Sequence, residues 1–488
     1  MSSLFAHLLA VCGMLYAVIY FVDTVFKSCM LYPYLMFLSR NGIEVKPFRL
    51  SFFTKSLNRF FVRSAHWRPR LSYWWFTIGA YVSAFLVIPA MILLVKTFIE
   101  ALVPLNSELR PKYQGIVLQP VMPGVNMPIS ELGYYFLTLL SCSAFHEAGH
   151  AIAAVGEDVR VVGFGFFLMF VLPAAYVNLP TDQLLALRPF QQLKIFAAGI
   201  WHNVVLAGFA YLLLLSIPTM SKAFYTTNEG LYLTSVGATS SVRGPTGLEP
   251  GQIVTSINHH CLVQDSKTWR ACLLQVIGSP DLGHCVPFSM VQDLDTSKRH
   301  AKSGPEDCCD VEDSSSSLCF LSTKNANKSA YCLPVRQILE KATPGCNETV
   351  ECASASSICL HVAQTNGTKL VQLQRKNEKD FLFVGNPAEI YHGISTSDYI
   401  PKHQYLSARL PDMAELFCHY LASFSGALAI LNVVPCFFLD GQHMIRVLVD
   451  LLCGCFEPGI RSIISLTFTI IGSILLVANL IVGMWQLF

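Results

Sequence analysis

His146, Glu147 and His150 form an H-E-x-x-H pattern within the apolar stretch Leu132 to Val155. On a helix, residues four apart share one face, so both imidazoles can aim a nitrogen at one metal ion. Glu147 projects beside that face, where it can serve as general base towards a water activated by the metal. A chain of 488 residues with 14 His would show this pattern by chance only about 0.01 times, so a metal site is the better reading. Two His and a Glu in a lipid-spanning helix would also be costly without a purpose.

Other polar residues in apolar surroundings are fewer and more ambiguous. Asn203 sits in the span Leu193 to Ile217, in the run Gly199-Ile-Trp-His202-Asn203. A membrane amide needs partners, so Asn203 is expected to face the protein interior, either joining helices or contacting substrate. His202 reads as a buried structural residue. Asp440 follows the apolar run from Ala414 in Asn432-Val-Val-Pro435-Cys-Phe-Phe-Leu-Asp440-Gly441. Pro435 should break the helix there, and Gly441 permits a tight turn. An acid in that place must be paired, protonated or bound to metal.

The elements that hold these residues are mostly membrane helices. The chain is 53% hydrophobic and 14% charged, with mean hydropathy +0.46, the composition of a polytopic membrane protein. The formal net charge of +2 and the absence of a long basic run give no footing for nucleic-acid binding; lipid is the expected surroundings. About six spans are expected: Leu4 to Val22, Trp74 to Lys96, the H-E-x-x-H helix, Leu193 to Ile217, Ala414 to Val434, and one within Arg461 to Phe488. Between the H-E-x-x-H helix and the fourth span, Val161 to Leu179 is broken by Gly163, Gly165 and Pro173. Its aromatic and β-branched residues predict a hairpin or re-entrant segment, either a wall of the active site or a plain structural hairpin.

Charge and cysteine placement orient the chain. Asp23 to Tyr73 holds nine Lys or Arg against Asp23 and Glu44 and reads as a cytosolic loop by the positive-inside rule. Ten of the 17 Cys fall between Cys261 and Cys359, beside the glycosylation sequons at Asn327, Asn347 and Asn366. That clustering predicts an oxidising, lumenal face. Four regions follow: an N-terminal membrane region with the basic loop (1–131), the first half of a catalytic membrane core (132–217), a lumenal Cys-rich α+β insertion (222–411), and the second half with the final span (412–488). If the insertion is lumenal, helix parity puts the His146 region and Asp440 on the cytosolic side, in agreement with the basic loop.

Within the insertion, Gly244-Pro-Thr-Gly-Leu-Glu-Pro-Gly251-Gln-Ile-Val-Thr-Ser-Ile-Asn258 resembles a stretch of PDZ domains, with Gln252 where Asp is usual and His259 where Gly is usual. A Cys-rich segment interrupts the pattern. Lys369 to Arg375 then alternates as a strand.

Together, His146-Glu147-x-x-His150, Gly199-x-x-x-Asn203 and Asn432-x-x-Pro435-x-x-x-x-Asp440-Gly441 resemble the site-2 protease family of intramembrane zinc metalloproteases, over nearly the whole chain. The resemblance implies one Zn2+ held by His146, His150 and Asp440, with Glu147 as general base. Asn203 could then donate to the developing oxyanion or to substrate backbone. It further implies hydrolysis within a transmembrane segment of membrane-anchored transcription factor precursors, such as sterol regulatory element-binding proteins, in the Golgi or endoplasmic reticulum after a first lumenal cut. The competing reading is a zinc-free membrane scaffold that binds clients through its PDZ-like region.

Overall fold

The computed structural model describes residues 2–102, 121, 125–238, 240–243, 247–278, 283–296, 309, 317–322, 329–346, 352, 356–363 and 368–485. Asn327, Asn347 and Asn366 lie outside the described residues. The chain forms two compact units, 1–217 with 414–488, and 218–413.

The first unit is a helical membrane body with one small sheet. It contains α1 (Ser2–Ser28), α2 (Tyr32–Asn41), β1 (Ile43–Lys46), β2 (Arg49–Thr54), α3 (Asn58–His66), α4 (Pro69–Leu102), α5 (Leu132–Gly156), β3 (Gly163–Met169), β4 (Leu172–Asn178), α6 (Thr181–Ala186) and α7 (Pro189–Ser221). Among the described residues, five helices are long and apolar enough to cross a membrane: Ala10–Ser28, Pro69–Glu100, Pro189–Ser221, Arg409–Val433 and Pro458–Trp485. The chain is therefore a polytopic membrane protein. The sixth expected span, α5, forms a helix of 25 residues but is not one of the five, because His146, Glu147 and His150 lower its mean hydropathy.

The segment read as a basic loop is instead built. Its strands β1 and β2 form a hairpin with Lys46 opposite Arg49, and Phe48 takes the positive φ of the turn (58°). Val161 to Leu179 forms the expected hairpin, Gly163 facing Asn178. Strand β2 pairs with β3 from Arg49–Met169 to Thr54–Phe164, giving a four-stranded sheet in the order β1-β2-β3-β4. Tyr16 of α1 donates from its hydroxyl to Leu168 O (3.0 Å), with Phe170 O also within reach of the same oxygen (3.3 Å). The N-terminal helix is thus tied to the tip of the β3–β4 hairpin.

The second unit is a cysteine-rich insertion of mixed structure. One sheet runs β15-β14-β7-β6-β16, with β8 beside β7; these are β6 (Leu231–Val236), β7 (Ile253–Ile257), β8 (Cys261–Leu262), β14 (Lys369–Arg375), β15 (Phe381–Gly385) and β16 (Ile394–Ser397). Helices α8 (Ser266–Gly278) and α11 (Pro387–Gly393) contribute Trp269, Leu273 and Ile390 to its core, with Leu248, Val254 and Leu373. The expected strand Lys369 to Arg375 is β14. In the PDZ-resembling stretch, Gly251 turns at φ 99° before β7, and Asn258 and His259 hold φ 51° and 58°. His259 therefore occupies left-handed backbone that a glycine would adopt without strain.

A second sheet has the order β11-β10-β13-β9-β12, from β9 (Gly283–Pro287), β10 (Ser317–Ser322), β11 (Ser329–Pro334), β12 (Thr343–Cys346) and β13 (Ser357–Val362), with α9 (Phe288–Leu294) and α10 (Val335–Lys341). A short pair, β5 (Tyr225–Thr226) and β17 (Ile400–Pro401), completes the unit. Disulfides join Cys261–Cys272, Cys285–Cys352, Cys309–Cys332 and Cys346–Cys359. They close loops of 11 to 67 residues, each stabilising by roughly 3–4 kcal/mol in the chain-entropy account.

The chain returns to the membrane body as α12 (Arg409–Val433), α13 (Asp440–Leu452) and α14 (Pro458–Trp485). Helix α12 stops at Val433, two residues before Pro435, as that residue's missing N–H requires. Ala80 and Leu94 of α4, Ala197 and Ile200 of α7, Ala429 of α12 and Met444 of α13 pack in one core. Small residues at these contacts let the helix backbones approach closely, which is how membrane helices gain packing without water to drive them together.

Candidate metal centre

Helix α5 presents His146 and His150 on one buried face, and Asp440 opens α13 opposite them. His146 Nε2 lies 2.9 Å from Asp440 Oδ2, His150 Nε2 lies 3.2 Å from the same oxygen, and the two Nε2 atoms are 3.1 Å apart. The three donor atoms make a nearly equilateral triangle. Tetrahedral zinc with bonds of about 2.0–2.1 Å would hold its ligand atoms about 3.3 Å apart, so the spacing suits a small divalent ion. His146, His150 and Asp440 form a group that could hold a metal. Cys285, Cys346 and Cys352 also lie close together, but all three are committed to disulfides.

A space is kept open beside the triangle. A Cβ added at Gly199 of α7 would sit 2.6 Å from His146 Cε1 and Nε2, and closer still to His150 Nε2. Helix α7 gets this near because Gly149 of α5 lets it in: a Cβ there would meet Ala198 O at 2.7 Å and His202 Cγ at 2.9 Å. The two glycines thus face one another's helices, one making the crossing and the other sparing the ligand atoms.

Each of the three side chains is held from behind. His150 Nδ1 lies 2.7 Å from Ile195 O; it donates there and leaves Nε2 free to ligate. His146 Nδ1 lies 3.2 Å from the Asn203 carboxamide. Asp440 is placed by the turn after α12, where Phe438 takes φ 70°. Gly441 allows that approach through close contact rather than a special φ, since a Cβ would lie 2.8 Å from Val433 O and would collide with Val434 O. The Phe437 N–H donates to Ser473 Oγ of α14 at 3.1 Å, and Gly472 abuts the Pro435 carbonyl.

Glu147 faces the sheet. Its Oε2 accepts the N–H of Val177 in β4 at 3.0 Å, and one turn earlier Ser143 Oγ accepts the N–H of Ala175 at 2.8 Å. The outer edge of the β3–β4 hairpin is therefore in use at these two residues. Ser143 escaped the sequence reading, although its position four residues before Glu147 puts it on the same helix face. Ser425, whose Oγ donates to Asn203 O at 2.9 Å, gave no signal beyond being a small polar residue in a span.

The remaining candidates lie apart from the triangle. His202 is buried, with Nδ1 3.2 Å from Phe145 O and its ring stacked on Phe76. His443 stacks on Phe196 with centroids 5.0 Å apart. Cys436 is buried, with Sγ directed at Phe437 O. Asn203 is fully buried and engaged with His146 and Ser425.

A multi-pass membrane protein whose H-E-x-x-H helix meets a carboxylate from a later helix is a membrane metalloprotease by class. The family model of peptidase family M50 matches residues 134–476, and the chain belongs to that family. It is also similar to a protein of Arabidopsis thaliana described as a membrane-bound transcription factor site-2 protease homolog. The two are 24% identical over 373 residues, which cover 66% of this chain and 71% of that protein.

Proposed function

We propose that this chain is a zinc endopeptidase that hydrolyses a peptide bond within a transmembrane segment of membrane-anchored transcription factor precursors, after a first lumenal cut. The observation that carries the reading is the triangle of His146, His150 and Asp440 with Glu147 one residue along the same helix. The name given to the Arabidopsis relative supports the substrate class; sterol regulatory element-binding proteins are the particular precursors we propose.

His146, His150 and Asp440 would hold the zinc. When bound, zinc acidifies water and polarises a peptide carbonyl. Glu147 accepts the proton of the attacking water and passes it to the leaving amide nitrogen. The substrate helix must unwind first, because its carbonyls are locked in its own hydrogen bonds. We place the unwound strand against β4, where its carbonyls would take over the N–H groups of Ala175 and Val177 and release Glu147 for proton transfer.

The reading includes six spans with α5 among them, Golgi or endoplasmic reticulum residence, and an active site towards the cytosol. It takes residues 222–411 as a lumenal PDZ-like module glycosylated at Asn327, Asn347 and Asn366. The zinc-free scaffold is less well supported, because the three ligand atoms and Glu147 are each individually held in place.

Purified protein assayed for bound zinc and for cleavage of a single-span reporter tests the proposal. Wild type should carry one zinc and cleave; Glu147→Gln should keep the zinc and lose cleavage. Persistent turnover by Glu147→Gln would remove the general-base assignment, and wild type devoid of zinc would remove the enzyme class.

A further inference from the structure

An imidazole can ligate through Nε2 only when its ring proton is on Nδ1, and the group beyond Nδ1 decides that. For His150 the carbonyl of Ile195 settles the matter. For His146 the neighbour is the Asn203 carboxamide, whose Nδ2 is the atom placed 3.2 Å from Nδ1. A carboxamide turned by 180° exchanges its oxygen and nitrogen within the same envelope. With Nδ2 towards His146, the amide would donate to a bare Nδ1, the proton would sit on Nε2, and His146 would offer the metal no lone pair.

Ser425 decides the orientation. Its Oγ lies 2.9 Å from Asn203 O and 3.3 Å from the far end of the same carboxamide. The hydroxyl has one proton, and the nearer of its two partners is the backbone carbonyl, so Oγ–H donates to Asn203 O. Towards the carboxamide, Oγ can then only accept, which requires the NH2 group on that side. Oδ1 consequently faces His146 and accepts from Nδ1–H. Asn203 and Ser425 are both fully buried, where an unmatched donor or acceptor costs most; this arrangement matches every group of the pair and is the one that leaves Nε2 of His146 free.

We propose that Asn203 and Ser425 are positioning residues: a relay from α12 through α7 to α5 that fixes His146 in the Nδ1–H form and keeps Nε2 free for the metal. The inference rests on the zinc reading above. It gives Asn203 a task on the side of the imidazole away from the ligand triangle, in place of donation to an oxyanion.

The test measures zinc retained by the full-length protein in detergent against graded chelator, with the visible spectrum of the Co2+-substituted form as a report on coordination. Asn203→Leu keeps the volume but removes the acceptor, and should weaken zinc retention about 10–100-fold. Asn203→Asp keeps the acceptor, and should retain zinc and the cobalt spectrum near wild type. Ser425→Ala should shift both readouts in the direction of Asn203→Leu. If Asn203→Leu holds zinc as tightly as wild type and loses only turnover, the positioning role is overturned. Loss of zinc by Asn203→Asp equal to that of Asn203→Leu would overturn the proposed amide orientation. Should Asn203→Leu fail to fold, Asn203→Asp and Ser425→Ala carry the same decision. Wild type without zinc would overturn both this inference and the reading beneath it.

Discussion

The backbone N–H of Val177 donates to Glu147 Oε2 at 3.0 Å. The carboxylate beside the triangle is therefore oriented by the last strand of a sheet, Leu172–Asn178, whose first strand lies far earlier in the chain, at Ile43–Lys46. In the proposed reading, orientation of the base and ligation of the metal are separate tasks carried by opposite neighbours, β4 for Glu147 and α7 for the two histidines.

That separation predicts distinct failures. Val177→Pro removes the donor at an edge strand that tolerates proline. The same N–H holds Glu147 in the free protein and is proposed to receive the substrate strand, so its loss, at about 1.5–3 kcal/mol for a hydrogen bond to a charged group, should lower kcat/KM roughly 10–100-fold while zinc content stays at the wild-type level. Equal loss of zinc and turnover in metal analysis and reporter cleavage would contradict the division of tasks.

Gly199→Ala should do the reverse. Its methyl group would enter the space of the histidine nitrogens, so zinc should be lost although alanine is the better helix former. Gly208→Ala, on the same helix and facing open space, should leave zinc and activity intact. Atomic emission on the two purified variants makes the comparison; zinc bound normally by Gly199→Ala would remove the steric argument.

Asp440→Ala should abolish both zinc binding and cleavage, since only two imidazoles remain. Cys436→Ala, His443→Ala and His202→Ala should each keep the metal, because their side chains are engaged elsewhere. Full zinc in Asp440→Ala alongside loss in any of the other three would reassign the third ligand.

The inserted module should weaken in acid. Burial and the neighbouring His361 hold His284 below the ordinary histidine pKa, so the folded module binds fewer protons than the unfolded chain. Its contribution is fully present above about pH 6.5, the ordinary histidine value, and is lost as pH falls from there through the lower value of the folded module, by at most about 1.4 kcal/mol per pH unit. Limited proteolysis of the whole protein between pH 7.5 and 5 should show cleavage within 218–413 rising, and His284→Gln should flatten that rise. A wild-type profile independent of pH would exclude His284 as the cause.

What could be read from the sequence followed local pattern. The ligand pair lies within one helical turn, the hairpin within 19 residues, and β14 within a seven-residue alternation, so each declares itself in a short window. The β1–β2 hairpin was hidden because Glu44, Lys46 and Arg49 make its strands look like part of a charged loop; their partner β3 supplies the reason to be a strand. Ser425 was hidden for a different reason. It meets Asn203 across 222 residues, and no periodicity records such a meeting. A glycine at 441 suggests a turn, whereas its use is to make room for the Val434 carbonyl.

The contact of Tyr16 with the Leu168 and Phe170 carbonyls bears on how this protein should be handled at the bench. It fastens the first helix to the hairpin that contains Val177, so a bulky fusion at the N-terminus would pull on the strand that holds Glu147. Reporter fusions are better attached elsewhere, and a variant in α1 that loses activity without losing metal should first be examined for a slackened hairpin.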